Sequence, residues 1–382
     1  MSRGRGRAVL EYLESLPLVD HHCHGVFEAD LDRAAFEASL TEAESAGPPG
    51  ASLFDSQIGF ALRRWCPPVL DLDAHAEPAD YLERRADLGA AEVNRRFLAA
   101  AGLRALCVDT GFVDTGPAPR PFLGPPALGE LAGAASHEVL RLETVAERVA
   151  AEGVSASGFA AEVRSRIEAR APTVVAAKSI AAYRAGLEMP GHRPSEAEIA
   201  AAAGRLMRHL EPRVREEPLH RFLVWCAVDA GLPVQFHVGY GDLDADLRRG
   251  DPLLLIGMLR AMNDAGVPAM LLHNYPFHRN AGYLAQVLPN VYVDAGLAMN
   301  NLGHRAHVLL CELLELAPFG KVLYSSDAYG LAELYHLGAL LYRQALAGQL
   351  AGGVDDGAWT ARDAQRVAEM MTCGNAERVY GL

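Results

Sequence analysis

The stretch LHRFLVWCAVDAGLPVQFHV, residues 219–238, changes its period half-way. Residues 219–230 carry apolar side chains at helical spacing and Gly231 stops them. PVQFHV then reads as a short Val-containing run of the kind that is buried on both faces of a parallel sheet. The segment DPLLLIGMLRAMNDAGVPAMLLH, residues 251–273, repeats the plan. Asp251-Pro252 opens a helix as cap and first-turn proline, Gly266 closes it, and PAMLLH follows. One run finishes at His237 and the other at His273.

Working outward, the same alternation extends in both directions. Strand-like runs occur at 17–22, 103–109, 139–143, 173–178, 233–238, 268–273, 290–294 and 321–327, with helical patterns at 144–170, 219–230, 252–265, 279–288, 303–316 and 329–347. This predicts an α/β protein built as a (β/α)8 TIM barrel. Residues 25–100 are too long and too varied for one crossover, with GPPG at 47–50 and RRWCPP at 63–68. They predict a helical insertion after strand 1, covering the C-terminal mouth. The Pro/Gly-rich 115–129 predicts a second long loop there, after strand 2. The chain 1–382 therefore reads as a single barrel domain with insertion 25–100.

Composition narrows the partners. Half of the 382 residues are hydrophobic, enough for a large core, and 35 basic against 48 acidic side chains leave a net charge of −13. An acidic surface argues against nucleic acid and anionic membranes, and leaves a small molecule as the expected partner. No apolar run approaches the roughly 20 residues a membrane span needs. The N-terminus lacks the apolar core of a signal peptide, and the six cysteines form no CxxC pair, so a reducing cytoplasmic location is expected. Only two of the 35 basic residues are lysines, Lys178 and Lys321.

In the expected barrel the strand ends converge on one rim. Strand 1 ends in Asp20-His21-His22-Cys23-His24, strand 4 at Lys178, strand 5 at His237, strand 6 at His273 and strand 8 at Asp327. Residues two apart on a strand share a face, so His22 and His24 can reach one ion while His21 and Cys23 point away. Histidine and carboxylate together suit a divalent metal, zinc by default, with Mn, Fe and Ni open. Arg184 and Tyr183 follow strand 4, where a guanidinium could hold a carboxylate. Tyr240, His278, Arg279 and Trp65 are weaker pocket candidates, for which ordinary packing is the plainer reading.

Asp20-x-His22-x-His24, with His237, His273 and Asp327 after it, resembles the amidohydrolase superfamily. The C-terminal GNAERVYGL (374–382) resembles the closing helix of the amidohydrolase-2 branch. AKS at 177–179 with YRAGL at 183–187 is similar to the FluG-type, glutamine-synthetase-associated proteins. The resemblance implies a site of one or two divalent ions held by His22, His24, His237 and Asp327, joined by His273 if binuclear. Lys178 is then either a carbamylated bridge between two ions or, with Arg184 and Tyr183, a binder of the substrate carboxylate. Asp327 and His273 are the implied catalytic residues, and Asp20 a positioning one. The implied activity is hydrolysis of a non-peptide C–N bond in a small carboxylated substrate such as a γ-glutamyl amide. A mononuclear decarboxylase and a non-catalytic metal-binding barrel are the alternatives. A homo-oligomer and a glutamine-synthetase-like functional partner are further implications.

Overall fold

The computed structural model describes residues 2–43, 50–112 and 120–382. Most of the 47–50 turn and the start of the 115–129 loop lie outside the described residues. Seven parallel strands form one curled sheet in chain order: β1 (Leu18–Cys23), β2 (Leu103–Asp109), β3 (Ala135–Arg141), β4 (Ala176–Ser179), β5 (Val234–Val238), β6 (Ala269–His273) and β7 (Val291–Val293). One or more helices join every consecutive pair, His278–Val287 joining β6 to β7. Such connections are what parallel neighbours require.

The strands sort their side chains by the period of two. Val19, Ala105, Cys107, Val139, Ala176, Met270, Leu272 and Leu323 form one buried cluster on the inner face. Cys373, Ala376 and Tyr380 from the C-terminal segment complete it. Leu18, Leu106, Val108, Ala177, Phe236 and Leu271 point the other way and pack against the surrounding helices. Both faces are covered, which is why the runs read as nearly continuous apolar sequence.

Two elements differ from the sequence expectation. The third strand begins at Ala135, well before 139, because ASHE at its start is only partly buried and carries no hydrophobic signal. Glu143, expected in that strand, belongs instead to the helix Leu142–Ala151. The expected eighth strand, 321–327, forms no regular ladder. It makes one parallel bridge, Val322 with Val293, one further hydrogen bond to β7 and two to β1. Leu323 N–H donates to Val293 O at 2.9 Å, His21 N–H to Tyr324 O at 3.0 Å and Asp327 N–H to His22 O at 3.1 Å. Asp327 has φ +49°, and a residue in that region cannot continue a ladder.

Within 25–100 lie the helices Arg33–Ala38, Gln57–Trp65, Pro78–Leu88 and Ala90–Ala101. The first of the long ones lies against the chain that follows β7: a Cβ at Gly303 would come within 2.4 Å of the Gln57 carbonyl. No helix among the described residues is long and apolar enough to cross a membrane.

Candidate metal centre

The C-terminal ends of the strands carry Asp109, Arg141, Lys178, His237 and His273, and β1 carries Asp20 and His22. His22, His24 and Asp327 bring one donor atom each within 4.8 Å of one another, and all three residues are buried. Asp327 Oδ1 lies 3.1 Å from His22 Nε2 and 3.5 Å from His24 Nε2, and its Oδ2 lies 3.4 Å from His273 Nδ1. The His237 ring centre is 4.7 Å from that of His273 and 4.2 Å from that of Tyr183. Lys178 Nζ is 3.1 Å from His22 Nε2.

The remote nitrogens decide which atoms are free. His22 Nδ1 lies 2.8 Å from Gln235 Oε1, and His24 Nδ1 lies 3.1 Å from the Asp109 carbonyl. Both partners are oxygen acceptors, because Gln235 Nε2 donates to His21 O at 2.7 Å and to Tyr380 OH at 2.8 Å. Each imidazole therefore carries its proton on Nδ1 and turns a lone pair on Nε2 toward Asp327. His237 donates from Nε2 to Tyr240 O at 3.1 Å, which leaves its Nδ1 as the lone-pair nitrogen. His273 Nδ1 is buried with no hydrogen-bond partner. Unprotonated nitrogens facing a carboxylate, one of them without a hydrogen-bond partner, fit a bound divalent cation.

Electrostatics agree with that set. Burial pushes the imidazoles down, His22 to about 4 and His237 to about 3, with the Lys178 charge adding to both. Burial alone would raise the Asp327 carboxyl; positive charge and N–H donation from His273, His22 and His24 would outweigh it and hold it well below the usual carboxylate range, and with neutral imidazoles a bound cation is what would supply that charge. Burial lowers Lys178 to about 8. Neutral ligands and a charged carboxylate are the forms a metal takes up.

Asp20 positions rather than faces this cluster. Its carboxylate accepts from Ser326 N at 2.9 Å and Ser326 Oγ at 2.5 Å, pinning the residue before Asp327. Asp327 does not cap the following helix, which begins at Ala332. Cys23 is buried with its Sγ 3.6 Å from Cys107 O, and burial pushes its thiol well up, so it is no nucleophile. Arg184 pairs with Asp244 at 2.8 Å, with its Nε buried and unpartnered. His278 and Arg279 pair with Glu312, Arg279 also reaching Glu315, and Trp65 lies under Arg64.

Several residues of the centre have no counterpart in the sequence reading. Gln235 stands two before His237 on the same strand face, and a lone amide inside an apolar run was its available signal. Asp109 and Arg141 end β2 and β3 and form a buried two-bond pair, at 2.6 and 3.1 Å, behind His24. Glu42, from the 25–100 segment, lines a cavity together with Asp327. Burial and the Asp327 and Asp242 charges push its carboxyl up to about 8.

A sequence model of the family described as amidohydrolase matches residues 73–382. The chain belongs to that amidohydrolase family. The matched range begins after β1, so the His22 and His24 pair lies outside it. Among curated proteins, protein fluG of Emericella nidulans is 32% identical over 226 residues, 55% of this chain and 26% of that protein. The amidohydrolase chain thus spans about a quarter of that relative's length. Among solved structures, a Lactobacillus casei protein assigned as a metal-dependent hydrolase is 30% identical, with TM-score 0.84 over 97% of this chain and 96% of that one. A uronate isomerase of Bacillus halodurans, 16% identical, superposes with TM-score 0.63 over 100% and 97% of the two chains, a likeness of fold.

Proposed function

We propose that this amidohydrolase is a metal-dependent hydrolase of a C–N bond in a small carboxylated substrate, a γ-glutamyl amide being the substrate class we favour. The observation that supports it is the proton placement: His22 and His24 both hold Nε2 lone pairs toward Asp327 because Gln235 and Asp109 O take their Nδ1 protons. His22, His24, Asp327 and His237 are the proposed ligands, with zinc as the first candidate. A divalent ion there supplies Lewis acidity and brings the pKa of water to about 7.

In this reading Asp327 takes the proton of the attacking water on Oδ2 and delivers it to the leaving amine. Buried, neutral His273, 3.4 Å from that oxygen, polarises the substrate carbonyl or completes a second ion's shell. Lys178, Arg184 and Tyr183 receive the substrate carboxylate, the last with its ring centre 4.2 Å from that of His237 and tilted 41° to it. Lys178 serves as a bridge instead if it is carbamylated; a pKa near 8 leaves enough neutral amine for that reaction. Residues 321–327 act as the eighth strand of a (β/α)8 barrel, and 25–100 is an insertion over its mouth. The whole is one cytoplasmic domain. A homo-oligomer and a glutamine-synthetase-like functional partner complete the proposal.

The test is metal per chain by elemental analysis, on protein purified without chelator and with bicarbonate present, followed by product analysis on γ-glutamyl amides. Release of amine and glutamate supports the reading. One ion per chain with carbon dioxide as product would establish the decarboxylase instead, and a metal-free, inert chain would defeat both.

A further inference from the structure

Glu42 lines the cavity it shares with Asp327 and has no part in the reaction above. Its side chain is half-buried, and among the described residues no Lys, Arg or His forms an ion pair with it. The neighbouring charges it feels are carboxylates, Asp327 and Asp242. The cations nearest the mouth are engaged elsewhere: Arg141 with Asp109, Arg184 with Asp244, and Lys178 against His22.

The cavity Glu42 shares with Asp327 is also lined by Thr41, Asn301 and Tyr329. The space open to a water-sized group is about 10 Å³, room for one small polar head. Its walls offer acceptors. Asn301 gives an amide N–H to Tyr240 OH at 2.7 Å, and Asn300, also on the wall, has a buried Oδ1 without a hydrogen-bond partner among the described residues. Tyr329 OH donates to Thr41 O at 3.2 Å, tying the strand of chain that carries Glu42 to the segment that carries Asp327. A half-buried carboxyl with no basic side chain paired to it among the described residues is costly to ionise in the free chain. A ligand bringing a compact cation with N–H donors removes that cost.

Resting on the amide-hydrolase reading above, we propose that Glu42 is a specificity-determining residue that pairs with an ammonium group of the substrate. A γ-glutamyl amide offers two such groups: the α-ammonium of its glutamyl half, and a distal ammonium where the leaving amine is a diamine. Both present the same chemistry to a carboxylate.

The experiment measures calorimetric binding to the metal-loaded full chain, wild type and Glu42→Gln, with two pairs of product-like ligands. Glutamate and glutarate differ by the α-ammonium; putrescine and butylamine differ by the distal one. The expected result is a preference of about 10- to 100-fold for the ammonium-bearing member of one pair, the worth of a charge-assisted hydrogen bond, lost in Glu42→Gln. The pair that shows it names the half of the substrate that Glu42 holds. No preference in the wild type for either pair, or a preference that survives in Glu42→Gln, overturns the assignment. Turnover of γ-glutamyl-p-nitroanilide is read separately. Its absence beside an intact, Glu42-dependent preference would sink the hydrolase reading and leave Glu42 as an ammonium site.

Discussion

Replacing Gln235 by Leu tests whether the centre is built by proton placement. Gln235 is fully buried and makes three bonds: it accepts from His22 Nδ1 at 2.8 Å and donates to His21 O at 2.7 Å and Tyr380 OH at 2.8 Å. Leucine keeps the volume and removes all three. Tyr380 OH retains His21 Nδ1 at 2.8 Å, so the groups left orphaned are His22 Nδ1–H and His21 O. At about 1–3 kcal/mol for each unsatisfied buried group, the metal-free protein should lose about 2–6 kcal/mol. Separately, His22 is released to rotate or to protonate on Nε2, the atom proposed to hold the ion. Loss of such a partner lowers metal affinity by about 10- to 100-fold. The two effects are measured apart: urea melts of metal-free protein give the first, and zinc titration against a competing chelator at low temperature gives the second. A variant that melts early yet binds zinc with unchanged affinity would refute the argument, because Gln235 would then support the fold alone.

Asp327→Asn should lower both metal content and turnover, the latter by on the order of 10²–10⁴, read by elemental analysis and initial rates; a variant keeping both excludes Asp327 as ligand and proton carrier. Lys178 falls from 10.5 to about 8 in the folded chain through burial, so between pH 8 and 10.5 the unfolded chain holds the extra proton and stability rises with pH. Below pH 8 the full penalty applies, about 3 kcal/mol at about 1.36 kcal/mol per pKa unit, and Lys178→Met should abolish the rise in metal- and bicarbonate-free urea melts over pH 7–10. Parallel curves for the two proteins would contradict that. Arg141→Met leaves the fully buried Asp109 carboxylate unpaired and should cost about 3–5 kcal/mol, most of it recovered in the double variant with Asp109→Asn. An unchanged melting temperature in the single variant would mean that water already serves Asp109.

The strand–helix alternation was legible because strands covered on both faces must be apolar along their length, and PVQFHV and PAMLLH are. Where a strand is partly exposed, as ASHE is at 135–138, the hydrophobic signal disappears and the element is read late. KVLYSSD reads as a strand equal to the others, but its Ser and Asp side chains serve Asp20 and the histidines, and its backbone bends at Asp327 instead of pairing evenly. The positions of His22, His24, His237, His273, Lys178 and Asp327 could be read because parallel strands deliver their C-terminal ends to one rim. Arg141 carried a weak mark, a charge within VLRLE. Glu42 carried none: the 25–100 segment has no period, so only the folded chain shows which of its carboxylates reaches the mouth.

Backbone strain is concentrated where the donor atoms converge. Of the five described non-glycine residues with positive φ, three are His273, Asn274 and Asp327, at +67°, +61° and +49°. That region costs an L-residue roughly 1–2 kcal/mol, so each needs a compensating hold. Asp294 supplies one: its Oδ1 accepts from His273 N at 2.8 Å and Gly296 N at 2.9 Å, and its Oδ2 takes His21 Nε2 at 2.7 Å. Asn274 is fixed by its own Nδ2, which donates to Leu271 O and Asp294 O. Asp327 is held by Asp20 through Ser326 and by its own N–H on His22 O. Gly296 permits the close approach, since a Cβ there would come within 2.9 Å of His273 Nδ1. His21 and Asp20, the residues of β1 that do not face the cluster with the His22 and His24 donors, are therefore the ones that hold it. His21 steadies Asp294 and through it His273, and Asp20 steadies Asp327. The DHHCH run thus couples the donor residues at the end of β1 to the strained residues at the end of β6 and in the 321–327 segment. This explains why four polar side chains lie buried in a sheet core that would otherwise have no use for them.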